Sequence, residues 1–136
     1  MYYLKRTSNG IKVKDESDVI IKKGLKQTLN DLCVLNLSTY EGRTKSIREM
    51  FGFNHNYPVF VNNSMLFFPT ESIRNYNCIY INYFKVLSIR QINQQICCVI
   101  FTDLSELRVQ ISHQKIMKQM DRCQIIINYL NNNENI

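Results

Sequence analysis

The chain has 136 residues, a length that fits one domain around one core; 45% hydrophobic and 21% charged residues are the proportions of a folded protein, not a disordered one. Four Gly and two Pro argue against a long flexible linker. A formal charge of +6 favours an acidic partner such as nucleic acid, an anionic membrane or an acidic protein.

Taken in chain order, "MYYLKR" and "IKVKD" read as short strands flanking a Ser8-Asn9-Gly10 turn, and "DVIIKK" as a third strand. Gly24 breaks the chain, and Leu25, Leu29, Leu32 and Cys33 then recur at helical spacing, predicting a helix over Leu25 to Asn36. Tyr40-Glu41-Gly42-Arg43 reads as a turn. Thr44 to Phe53 is strand or short helix, and periodicity leaves both open. "PVFV" and "MLFF", joined by Asn62-Asn63-Ser64, predict a hairpin ended by Pro69.

"NCIYINYFKVL" is β-branched and aromatic on both faces, the pattern of a central strand covered on both sides, and "ICCVIF" is similar. Asp103-Leu104-Ser105 turns into "LRVQI", whose strict alternation predicts a half-buried strand. From His113 to Leu130, Ile116, Met120, Cys123, Ile127 and Leu130 form an apolar helical stripe, with Lys115, Lys118 and Arg122 on the other side. The expected fold class is α+β: a mainly antiparallel sheet, an early helix and a C-terminal amphipathic helix. It forms one domain over 1–130, followed by a polar tail over 131–136.

Catalytic chemistry finds little support. No phosphate loop, dinucleotide fingerprint or nucleophile elbow occurs, and the carboxylates are scattered, so no enzyme activity, catalytic residue or cofactor is expected. The five cysteines show no C-x-x-C spacing, and the two histidines lie far from them in sequence. The cysteines read as small buried hydrophobes of a reducing compartment, with no metal site. No apolar run approaches the roughly 20 residues of a membrane helix, and "MYYLKRTSNG" has no apolar centre of a signal peptide, so no membrane association and a cytoplasmic location are expected.

The basic segment carries more information. Arg43, Lys45 and Arg48 precede Asn54, His55 and Asn56. Such residues neutralise phosphates and enter narrow minor grooves, with Tyr40 and Gly42 shaping the turn that presents them. The same segment also reads as a solvated loop. Lys115, Lys118 and Arg122 are secondary candidates for phosphate contact, or they merely solvate the outer face of the last helix.

"STYEGR", then "NHNYPVFV", "LFFPTES" and "NCIYI" resemble the bacterial competence transcription factor ComK family. The shared parts are Tyr40, Gly42 and Arg43, then His55 and Pro58, then Phe68, Pro69 and Thr70, then Cys78, Tyr80 and Ile81; "VIFTDLSELRVQIS" is similar to the family's late hairpin. The resemblance implies a regulator of DNA-uptake genes that binds double-stranded AT-rich promoter boxes, largely through the minor groove. It further implies homo-oligomers and contact with the transcription machinery. Arg43, Lys45, Arg48 and His55 become the DNA-contacting residues. Tyr80 stands where the family has Trp, and "QISHQKI" joins the late hairpin almost directly to the last helix, where longer members carry an extra segment. That shortening motivates one alternative, an interaction module that pairs with a longer relative without binding DNA. Another is a single-strand binder that stacks bases on Tyr76, Tyr80 and Tyr83.

Overall fold

The computed structural model describes residues 1–133. Three short strands open the chain: β1 (Tyr3–Thr7), β2 (Gly10–Lys14) and β3 (Val19–Ile21). Two helices follow, α1 (Leu25–Leu35) and α2 (Tyr40–Phe51), then β4 (Val59–Asn62), β5 (Met65–Pro69) and β6 (Ile79–Asn82). The chain continues through β7 (Val86–Gln91), β8 (Cys97–Phe101) and β9 (Glu106–Val109) to the long helix α3 (His113–Asn132). The α+β class and antiparallel sheet agree with the sequence reading, but there are two early helices, not one. Helix α3 also takes in Asn131 and Asn132 of the expected tail, while 134–136 lie outside the described residues.

Six strands form one antiparallel sheet in the order β3-β2-β1-β6-β5-β4, and β7-β8-β9 form a second. The larger sheet divides two cores. On one face Leu4, Val13, Val59, Phe67 and Tyr80 pack against Leu25, Leu29 and Cys33 of α1. On the other, Tyr3, Phe68 and Ile81 meet Val99, Phe101 and Val109 of the small sheet together with Ile116, Cys123 and Ile126 of α3. The period of two in each strand assigns alternate residues to the two cores. Leu4 and Tyr80 therefore face α1 across the β1–β6 ladder, while Tyr3 and Ile81 face the small sheet.

The expected long strand through "NCIYINYFKVL" is two strands in different sheets. Asn82 breaks it: its side chain is fully buried, and its Oδ1 accepts from the Phe84 amide at 3.2 Å to cap a 3-10 turn over Tyr83–Lys85. The same oxygen accepts from the Leu66 amide at 3.2 Å, and Nδ2 donates to the carbonyls of Met1 at 2.9 Å and Ser64 at 3.0 Å. Composition cannot distinguish this pivot from a continuous strand, because the residues on either side are equally apolar.

Cys33, Cys78, Cys97, Cys98 and Cys123 are all free and buried, and no cluster of three or more His, Cys, Asp or Glu side chains that could hold a metal occurs among the described residues. Burial pushes the Cys78 thiol up to about 11 and raises Cys33, Cys97 and Cys123 too. All four stay protonated at neutral pH, and the thiolate is the reactive form. A disulfide reagent at pH 7 should therefore label the folded protein slowly and all five thiols quickly in denaturant. Fast stoichiometric labelling of the native state would contradict the packing.

Candidate nucleic-acid interface

The segment expected to be a turn is the start of a helix. The Thr39 hydroxyl caps α2 by accepting from the Gly42 amide at 2.9 Å, and Glu41 in the first turn complements the helix dipole. Gly42 therefore shapes no turn; it sits in the first helical turn, where the cap satisfies its N–H. Tyr40 faces inward as well. Its amide donates to Asn30 Oδ1 at 2.9 Å, and its hydroxyl lies 3.5 Å from that of Tyr80. The signal that could have revealed this helix is Thr39 as a cap, with acidic Glu41 in the first turn and Gly52 just past the last.

A helix turns about 100° per residue, which puts Arg43 roughly 140° around α2 from Arg48. The three cations thus divide between two faces. Lys45 and Arg48 are exposed, and Lys45 lies 4.0 Å from Glu49. Arg43 does not project outward. It is half-buried, with its guanidinium 5.2 Å from the Phe60 ring and Nε buried without a hydrogen-bond partner. It lines a groove of about 240 Å³ with Met50, Phe60, Ile126 and Tyr129.

Helix α2 ends at Gly52, whose left-handed φ of 69° reverses the chain. The following loop is fastened to α3 by two buried polar side chains. Gln119 Nε2 donates to the Asn56 carbonyl at 2.9 Å and to the Pro69 carbonyl at 3.0 Å. Arg122 Nη1 donates to the His55 carbonyl at 2.9 Å while its guanidinium lies 4.7 Å from the Phe53 ring. At 8% exposure Arg122 is no outer-face residue, and burial pulls its pKa below the ordinary arginine value. Its expected role as a phosphate contact gives way to a structural one.

That clamp has a consequence for charge. It holds His55, exposed, against the α3 face that carries Lys115 and Lys118, and the three border a cleft of about 200 Å³ with Glu71 in its wall. Ser112 caps α3 by accepting from the Lys115 amide at 3.2 Å, and the first turn contains no acidic residue. Neither lysine pairs with a carboxylate among the described residues. Residues far apart in sequence are thereby joined in one basic cleft, and Gln119, which the sequence pattern does not single out, is part of what joins them. The aromatic platform required by a single-strand binder does not form: Tyr80 is buried, whereas Tyr76 is exposed.

A family model described as ComK protein covers residues 2–135, and the chain belongs to that family. No curated protein and no solved structure matches.

Proposed function

We propose that this ComK family member is a competence transcription regulator that binds AT-rich promoter duplex, largely through the minor groove, as a homo-oligomer. The observation that carries the reading is the family match over nearly the whole chain. The geometry supports it with two basic surfaces. One is the cleft of His55, Lys115 and Lys118, and the other is the exposed Lys45–Arg48 face of α2. Cations free of internal partners neutralise phosphates most effectively, because no ion pair must first be broken, which favours Lys115, Lys118 and Arg48, unpaired among the described residues, over Lys45 beside Glu49. Arg43 and Arg122 contribute by packing. Strand β3 supports self-association: it ends the larger sheet, and Val19 and Ile20 are exposed on it.

The test is duplex binding across a salt series with AT-rich and GC-rich sequences. Three phosphate contacts alone give a slope of log K against log salt of about −2.7, so raising salt from about 50 to about 200 mM should weaken binding at least about 40-fold. AT-rich duplex should bind more tightly at every salt concentration. A flat salt response overturns the electrostatic basis. No duplex binding at any salt would favour the interaction module that pairs with a longer relative.

A further inference from the structure

The basic cleft is one end of a longer groove. A second concavity of about 240 Å³ lies where β1 meets β9, bordered by Lys5, Tyr76, Arg108 and Gln110. Between the two is a hollow of about 360 Å³ that shares Gln110 with the β1–β9 end and Ile111 and Lys115 with the cleft. The three hollows therefore adjoin, through Thr70, Glu71, Ile111 and Lys115 on the cleft side and through Gln110 alone on the β1–β9 side.

Its chemistry is uneven in an informative way. Lys115 and Lys118 stand at one end and Lys5 and Arg108 at the other; all four are exposed, and none is paired with a carboxylate among the described residues. The middle supplies hydrogen-bonding Gln95, Gln110 and Ser112, and Glu71 and Lys115 stand in the wall it shares with the cleft. Among the described residues, Glu71 is the only acidic one that borders any of the three hollows. At the far end Arg6 does not face a ligand. Its guanidinium donates to the carbonyls of Ile73 and Asn75, which fixes the loop that presents Tyr76, 60% exposed. Two cationic ends joined by hydrogen-bonding side chains, with the single carboxylate Glu71 set beside Lys115, suit a ligand whose negative charge repeats along its length. Amide and hydroxyl side chains serve phosphate oxygens as positioning donors.

We propose that this groove is a single track for phosphodiester backbone, and that Lys5 and Arg108 seat a second run of phosphates beyond the cleft. The inference rests on the duplex-binding reading above and adds to it a site on β1 and β9, far in sequence from the basic segment. Tyr76 closes the track, with its hydroxyl available to a phosphate oxygen.

The experiment compares the intact protein with the double variant Lys5→Gln/Arg108→Gln on the same AT-rich duplex across the salt series. Both side chains are exposed, so the melting temperature should not change. Two lost phosphate contacts should flatten the slope by about 1.8, which reduces the loss of affinity between about 50 and about 200 mM salt about 12-fold. A charge-matched control, Lys22→Gln/Lys23→Gln at the end of β3, should leave the slope in place. If the intact protein binds duplex and Lys5→Gln/Arg108→Gln keeps its slope, the track is wrong while the regulator reading stands. An equal change in the control also overturns the track, because net charge alone then sets the slope. If the intact protein binds no duplex, the underlying reading itself has failed. Single-stranded competitor displaced by Tyr76→Ala, but not by the double variant, would replace backbone seating with base stacking.

Discussion

Asn82→Ala is expected to lower unfolding stability by about 4 kcal/mol, because each buried backbone group left without a partner costs about 1–3 kcal/mol. Asn82 is fully buried, and its side chain serves four backbone groups: the carbonyls of Met1 and Ser64 and the amides of Leu66 and Phe84. Alanine orphans all four, and water entering the vacated space would recover part of the sum. Urea denaturation should show a lower midpoint at unchanged slope. Asn82→Asp sharpens the test, because a carboxylate still accepts from the two amides but cannot donate to the two carbonyls. It should be destabilised as well, and more strongly at neutral than at acid pH, since a protonated carboxyl regains one donor. A loss below about 1 kcal/mol for Asn82→Ala, less than one orphaned group should cost, would mean that the small sheet is positioned by its apolar packing alone.

The second large effect belongs to Arg122→Ala, expected to cost about 3 kcal/mol. A hydrogen bond from a charged donor contributes about 1.5–3 kcal/mol, and the guanidinium over Phe53 adds roughly 0.5–2 kcal/mol. The melting temperature should fall by about 10 °C. Arg122→Lys keeps the charge but cannot both lie flat on the ring and reach the His55 carbonyl, so it should rescue only part of the loss. Lys118→Gln provides the contrast: exposed, and unpaired among the described residues, it should leave the melting temperature alone and weaken duplex binding. Reduced duplex affinity with an unchanged melting temperature for Arg122→Ala would restore Arg122 to the set of contact residues and remove it from the clamp.

These two residues also mark where the sequence is legible and where it is not. Elements with a clean period are readable. The stripe from Ile116 to Leu130 and the alternation of Leu107 and Val109 follow directly from which side of an element faces a core. What the pattern hides is polar residues placed inside. Asn82 in an apolar run reads as an ordinary strand residue, and Arg122 beside Lys115 and Lys118 reads as one more surface cation. In both, burial depends on carbonyl groups brought in from distant segments, which one-dimensional spacing does not encode. Gly42 misleads in the opposite direction, because glycine signals a turn unless the cap at Thr39 is weighed with it. The cleft is half legible. Its cations are evident as types, while their meeting at the β4 approach and the α3 face is a property of the fold.

The ladder between β1 and β6 sets the order in which this protein can assemble. It pairs Tyr3 with Ile81 and Lys5 with Ile79, the two ends of a chain segment more than half the length of the protein. The remaining pairings in that sheet join neighbours in sequence, β1 with β2, β2 with β3, β4 with β5 and β5 with β6. Two local meanders can therefore form early, each at small loop-closure cost, and their docking along one seam is the non-local step. On a ribosome the first meander emerges long before its partner strand exists. Until β6 arrives, β1 presents an open edge to any other nascent chain, so the interval between these two strands is when the protein is most exposed to aggregation.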